Sequence, residues 1–284
     1  MRAVGVDSTG VPGRIVVVDE DGRVLLSGAP DPLPRSAGRI GAIGFAVDQE
    51  ASEGGGLGAV SIAFEETDAV LPEPLLCAPG AAAVLAEAWM GAARGARDAV
   101  CLVIGDHVRA GILLDGKPWA GAHGMAGAAA WLALNPVERQ DYRKYGSLAA
   151  EVSNAGVARR LSWRIQAGDD SAVLERAGDL ESITAQHVFD AARAGDGVAI
   201  SVVRDTARYI AMAVANLAST LDPEVVVLAG TVAAASDLLL DPVRQECARR
   251  LPARMADLVR IDISPLGQDG VAIGAARLAM LAQP

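Results

Sequence analysis

The sequence has few cysteines, no excess of positive charge and no long apolar run. Its three cysteines, Cys77, Cys101 and Cys247, are too few for a disulfide framework and lack metal-ligand spacing, so we expect buried core thiols. Twenty-five basic residues against 35 acidic ones give a net charge of −10, which disfavours nucleic acid and anionic membranes as partners. We find no candidate membrane span, and the apolar run at the N-terminus breaks at Asp7, too early for a signal peptide. The expected location is the cytoplasm.

What is present is a hydrophobic chain of 284 residues, 51% apolar, long enough for one large or two ordinary domains. One pattern occurs twice: an apolar strand, a turn, a second strand and an Asp-Gly hairpin turn, at residues 3–22 and again at 99–116. This repeat indicates a duplicated fold. Apolar residues spaced by three or four from Val203 to Leu221 predict a helix, and a buried strand at 225–228 follows. Helices are also expected at 81–93 and 271–281, which is typical of an α/β protein.

Four segments resemble the ROK family of sugar kinases. Residues 111–127 (GILLDGKPWAGAHGMAG) carry a long match, and residues 221–230 (LDPEVVVLAG) and 266–276 (LGQDGVAIGAA) follow in the family's order. The fourth segment, residues 77–87, matches the family's catalytic stretch in position. The resemblance implies a duplicated actin-like (ribonuclease H-like) ATPase fold with two lobes and mixed sheets. The lobes would be 1–95, which is trimmed relative to the family, and 96–284, whose last helix packs back on the first lobe.

The resemblance also implies a set of ligand positions. Asp7 and Gly10 lie in the first phosphate loop, Gly105 in the second, and Gly230 at the nucleotide's adenosine end, so ATP and Mg²⁺ are possible cofactors by resemblance. His123 and Gly127 match substrate-side positions. Each residue also has a plainer interpretation, since a lone histidine commonly satisfies a local hydrogen bond and glycines permit close packing. The family further implies a homodimer, with the apolar run from Ala126 to Leu134 buried.

The residues that perform the family's chemistry are replaced. Pro79 occupies the position of the aspartate that takes the proton from the sugar hydroxyl, and proline cannot act as a general base. The neighbouring sugar ligands are absent as well: the positions are filled by Cys77, Ala78, Ala128, Trp131 and Ala149. Trp131 replaces a histidine that also serves a structural zinc, and the cysteine cluster of that zinc is missing, so we expect no zinc.

The phosphate loops are altered too. The second one reads Gly105-Asp106-His107-Val108-Arg109-Ala110-Gly111, where side chains would crowd the backbone and Asp106 would repel phosphate. The hypothesis that we favour is therefore a pseudokinase that binds a ligand or a protein without transferring phosphate. One alternative is an active sugar or aminosugar kinase in which Asp106 or Asp48 supplies the carboxylate and Arg109 stabilises the transferred charge. The other alternative is a purely structural or subunit-partner role.

Overall fold

A computed structural model describes residues 1–9, 13–29, 40–47, 72–231 and 233–283. The chain divides into two compact units. Unit 1 consists of Met1–Cys101, Ala110–Gly127 and Ser264–Pro284, and unit 2 of Leu102–Arg109 and Ala128–Ile263. The predicted lobe boundary at residue 95 stays a prediction. The predicted trimming of the first lobe concerns an interval that includes residues 30–39 and 48–71, which lie outside the described residues.

Unit 1 contains a mixed five-stranded sheet in the order β3-β2-β1-β4-β5. Its strands are β1 (Arg2–Asp7), β2 (Arg14–Asp19), β3 (Val24–Gly28), β4 (Ala42–Ala46) and β5 (Leu75–Cys77). β1 pairs antiparallel with β2, as the predicted hairpin requires, and parallel with β4. Nearly every residue of β1, β2 and β4 is buried, as continuous apolar runs favour in a sheet that is covered on both faces.

Two helices among the described residues of unit 1 pack on one face of this sheet. They are α1 (Pro79–Met90) and α10 (Gly270–Leu281), and α10 contacts β1, β4 and α1. The contact is close because Gly5 and Gly44 face the helix: an added Cβ would lie 1.7 Å from the Ala272 carbonyl oxygen and 1.8 Å from that of Ala275. The side chains on the opposite face of the sheet form a second buried apolar cluster, which includes Val6, Ile15 and Phe45. Glycine thus determines how near the last helix can approach.

The second sheet has the order β10-β9-β6-β7-β8. Its strands are β6 (Ala99–Ile104), β7 (Val108–Leu114), β8 (Lys117–Pro118), β9 (Val225–Ala229) and β10 (Arg260–Ile263). The predicted strands at 99–104 and 225–228 are confirmed, and Asp115 and Gly116 form the predicted turn with positive φ angles of 51° and 75°. β9 and β10 run parallel, whereas β7 and β8 are antiparallel.

Unit 2 is largely helical. Its helices are α2 (Gln140–Tyr145), α3 (Ser147–Val152), α4 (Asn154–Gln166), α5 (Val173–Ala177), α6 (Ala185–Arg193), α7 (Gly197–Leu221), α8 (Ser236–Ala248) and α9 (Ala253–Leu258). The long predicted helix is α7, which begins at an Asp196 cap that accepts a hydrogen bond from the Ala199 amide and ends at Asp222 with a φ of 46°. Among the described residues, no helix is long and apolar enough to cross a membrane.

Candidate functional site

In unit 1, Asp7, the last residue of β1, is held in a local hydrogen-bond network. The Asp7 carboxylate accepts hydrogen bonds from the Thr9 amide at 2.9 Å and the Thr9 hydroxyl at 2.6 Å. The Ser8 hydroxyl donates to the Ala46 carbonyl of β4 at 3.0 Å. Asp7 is therefore fixed at the carboxyl end of β1, and a hydrated cation is the kind of ligand that such a carboxylate can orient. Gly10 lies outside the described residues.

The position that the resemblance assigns to a general base lies at the start of α1. Ala78 precedes the helix without a side-chain cap, Pro79 is its first residue and is buried, and the first turn has no acidic residue. Proline suits this place because the missing N–H has no partner within a helix anyway. Beside it, burial and then the charge of Asp7 raise the pKa of the Cys77 thiol to about 12. Cys77 is therefore a neutral thiol at physiological pH and does not substitute for the missing base.

Three backbone segments meet beside Pro79. A Cβ on Gly80 would lie 2.4 Å from the Ala110 carbonyl oxygen, and one on Gly111 would lie 1.9 Å from the Gly80 carbonyl oxygen. Gly127 has a φ of +86°, its added Cβ would lie 1.9 Å from the Ala110 carbonyl oxygen, and its own carbonyl accepts the Ala110 amide at 2.8 Å. Gly127 is thus required for packing, whereas the substrate role implied by the resemblance stays a prediction. The exposed His123 precedes it in the same loop.

In unit 2, the loops after β6 and β9 are joined through a residue that the sequence did not suggest. Asn154, the first residue of α4, donates from its side-chain amide to the Asp106 carboxylate at 2.9 Å and accepts from the Thr231 hydroxyl at 3.0 Å. Its backbone amide donates to the Gly105 carbonyl at 2.9 Å. Gly230 has a φ of +90°, and an added Cβ would lie 2.4 Å from the Ile104 carbonyl oxygen. The predicted residues Gly105, Asp106 and Gly230 are therefore brought together, with Asn154 as their bridge.

The Gly105 amide, which a phosphate would require as a donor, already donates to the His107 carbonyl at 3.0 Å. Arg109 is half-buried in β7, three residues beyond the exposed Asp106. Asp48, the other suggested carboxylate, lies outside the described residues. The loop therefore presents a carboxylate and an occupied amide where a phosphate site needs unoccupied N–H groups.

The remaining family positions are apolar. Ala128 and Trp131 are exposed, with 54% of Trp131 accessible, and Ala149 is buried in α3. Among the described residues, no group of three or more histidine, cysteine, aspartate or glutamate side chains is arranged to hold a metal ion. The residues present do not fit a tetrahedral zinc site.

Three comparisons with known proteins agree on the family. The family model described as "ROK family" matches residues 80–281. Over 194 residues the chain is 34% identical to a glucokinase of Halalkalibacterium halodurans, covering 68% of this chain and 59% of that protein. Over 198 residues it is 35% identical to the bifunctional enzyme NanE/NanK of Brucella melitensis, covering 70% of this chain and 33% of that protein. The chain thus matches less than two thirds of the length of these relatives.

Among solved structures, a ROK family glucokinase of Streptomyces griseus in complex with glucose and AMPPNP superposes with a TM-score of 0.79 at 25% identity, covering 99% of this chain and all of that one. This chain therefore has the fold class predicted from its sequence, that of an α/β protein of the actin-like ATPase type with mixed sheets.

Proposed function

Because the chain belongs to the ROK family, we propose that it is a sugar-kinase-like scaffold that binds a ligand or a protein and does not phosphorylate sugars by the family's mechanism. The observation that carries this proposal is the buried Pro79 at the first position of α1, where the family has its general base. General-base catalysis contributes about 10²- to 10⁴-fold to a rate. Neither the neutral Cys77 nor the exposed Ala78 beside Pro79 replaces it.

The second phosphate loop supports the same proposal. Phosphoryl transfer depends almost entirely on positioning and charge stabilisation, so a poorly held nucleotide reduces the rate further. In unit 2 the Gly105 amide is engaged by His107, and the Asp106 carboxylate is held by Asn154 at the surface of the loop. A carboxylate there repels phosphate oxygens. Weak nucleotide binding is therefore part of the proposal.

The alternative is an active ATP-dependent sugar or aminosugar kinase with displaced groups. Its supporting observation is that Asp7, the acid of the first phosphate loop, is retained and fixed by Thr9. In this alternative Asp106 or Asp48 would act as the base and Arg109 would stabilise the transferred charge. The relatives described as glucokinases make it worth a direct test.

A coupled assay with ATP and Mg²⁺ separates the two functions. We expect no turnover of glucose, mannose, glucosamine or N-acetylmannosamine, and no recovery in Pro79→Asp, because Ala128 and Trp131 still lack the sugar-binding groups. Turnover of any hexose that Asp106→Asn abolishes while the circular-dichroism spectrum is unchanged would establish the alternative.

Thermal-shift measurements divide the remaining roles. Stabilisation by a sugar alone supports a ligand-binding scaffold, stabilisation by ATP and Mg²⁺ supports the kinase, and stabilisation by neither supports a structural or subunit-partner role.

We also propose a homodimer that buries the segment from Ala126 to Leu134. The exposed Trp131 and the absence of charged residues in this segment support it, since a contiguous apolar surface commonly marks an interface with a partner. Sedimentation at micromolar concentration should give a dimer, and Trp131→Glu should shift it to monomer. A strictly monomeric wild-type protein would contradict this proposal.

A further inference from the structure

Unit 2 contains a cavity of about 440 Å³ that includes none of the residues assigned to nucleotide or sugar by resemblance. It lies between α4, α7 and the segment that precedes α2. Pockets for small ligands typically measure about 300 to 1,000 Å³. The cavity is therefore large enough for a small organic molecule.

An ionic chain of five side chains contributes Arg139, Glu151 and Arg160 to the wall of this cavity. Its members, in order of contact, are Arg159, Asp141, Arg139, Glu151 and Arg160. Glu151 is the most deeply buried of them, with 1% of its side chain exposed. It accepts hydrogen bonds from Arg139 Nη1 at 3.0 Å and from the Tyr142 hydroxyl at 2.5 Å. Burial, and then the Glu151 carboxylate, raise the pKa of Tyr142, so its hydroxyl remains a donor.

The ionic chain carries one more positive charge than negative, because three arginines share two carboxylates. The other two arginines of the cavity wall form neutral pairs, Arg164 with Asp169 and Arg208 with Asp205. The ionic chain and these two pairs together have five arginines and four acids, a net charge of +1. One monovalent anion would neutralise it.

Arg160 is where this excess is least compensated. Its side chain is 11% exposed, and its Nε lies 3.5 Å from the Glu151 Oε2 oxygen without forming a hydrogen bond. Its Nη2 donates to the Thr206 hydroxyl and to the Val202 carbonyl. Burial lowers the pKa of Arg160, and the charges of Glu151 and Asp205 offset this effect only in part. A buried cation in this situation is stabilised by an additional acceptor.

The rest of the wall is apolar or aromatic. Leu134, Trp163, Val202, Tyr209 and Met212 line the cavity alongside the charged residues. Trp163 is held in place by two guanidinium groups, those of Arg139 at 5.1 Å and Arg159 at 5.3 Å from its ring. These surfaces suit the hydrocarbon or ring portion of a ligand.

We propose that this cavity binds a small organic monoanion, a carboxylate carried on an apolar or aromatic body, with the carboxylate directed to Arg160. A dianion such as a phosphomonoester is disfavoured, because it would exceed the single positive charge and face the Glu151 and Asp205 carboxylates of the wall. The proposal is independent of whether the protein phosphorylates sugars.

Three probes with the same phenyl body and different charges test this preference: benzoate, phenyl phosphate and benzamide. Isothermal titration should show binding of benzoate. Benzamide should bind at least about tenfold more weakly, since hydrogen bonds to charged groups contribute that much. Phenyl phosphate should also bind more weakly than benzoate. Absence of benzoate binding, or equal affinity for benzoate and benzamide, would overturn the proposal.

Two variants place the site. Arg160→Met should weaken benzoate binding about tenfold or more, whereas Arg204→Met, the same change at an exposed position of α7, should not. Met212→Trp fills the cavity without altering its charges and should abolish binding, with Asn216→Trp on the exposed side of α7 as its control. If Arg160→Met fails to fold, Met212→Trp decides the question. Unchanged benzoate binding in Met212→Trp would refute the location.

Discussion

The buried carboxylate of Glu151 offers a sharp test of the packing of unit 2. Glu151→Gln keeps the shape of the side chain but removes the charge that the two neighbouring arginines share. It also turns one acceptor oxygen into a donor that faces guanidinium donors. The Glu151 side chain is 1% exposed, so water does not compensate. Removing one partner of a buried ion pair commonly destabilises a protein by about 3 to 5 kcal/mol.

Glu138 offers a matched control, because it pairs with Arg143 at the surface, where their side chains are 74% and 76% exposed. Glu138→Gln makes the same chemical change in water, where such pairs contribute about 0 to 1 kcal/mol. Urea unfolding followed by circular dichroism should give a large loss of stability for Glu151→Gln and almost none for Glu138→Gln. Equal effects of the two substitutions would refute the assignment of a buried ionic chain.

Three further predictions concern other parts of the molecule. Gly127→Ala should destabilise unit 1 by about 1 to 3 kcal/mol more than Gly116→Ala in urea unfolding, because both have positive φ but only Gly127 would place a Cβ against a carbonyl oxygen. Burial raises the pKa of Glu87, although hydrogen bonds from Ser264 and Ala92 lower it. Because the pKa is higher in the folded than in the unfolded state, the stability that Glu87 contributes at low pH is lost as the pH rises through the folded pKa. The stability of the wild type relative to Glu87→Gln should therefore rise as the pH falls through the raised folded pKa of Glu87 toward the range of an ordinary carboxyl group, and a constant difference would contradict this. Elemental analysis should find no stoichiometric zinc, and about one zinc per chain would show that the alignment around Trp131 is wrong.

The sequence predicted those elements whose signals are local. β6 and β9 are continuous apolar runs, and α7 has a regular apolar repeat that ends beside a proline. These three elements can therefore be predicted without knowledge of the tertiary contacts. Helices α3 and α4, of 6 and 13 residues, were not predicted, because neither has a repeat as long as that of α7. Helix α5, whose Val173 is fully buried, lies in the polar stretch 166–182 and was not predicted either.

Contacts between distant residues could not be predicted in this way. Asn154 lies 48 positions from Asp106 and 77 from Thr231, and no local pattern marks it as the bridge between their loops. The ionic chain likewise joins residues of three separate segments, and its arginines resemble any exposed arginine in the sequence. Only the packing of α4 against α7 reveals that Arg160 is buried.

The family's motif positions have changed unevenly, and the unevenness has a physical reason. Gly80, Gly111, Gly127 and Gly230 stand where an added Cβ would lie within 2.4 Å of a backbone oxygen, so replacing any of them would move a strand or a helix. Pro79 and Trp131, in contrast, stand at positions to which the resemblance assigns ligand-binding polar groups, and the fold accommodates them as a first helical residue and an exposed side chain. Packing constrains the four glycine positions whether or not the protein phosphorylates sugars. The proposed loss of sugar phosphorylation would remove the constraint on Pro79 and Trp131 alone, and a ligand of such a scaffold could then bind elsewhere, for example in the cavity beside Arg160.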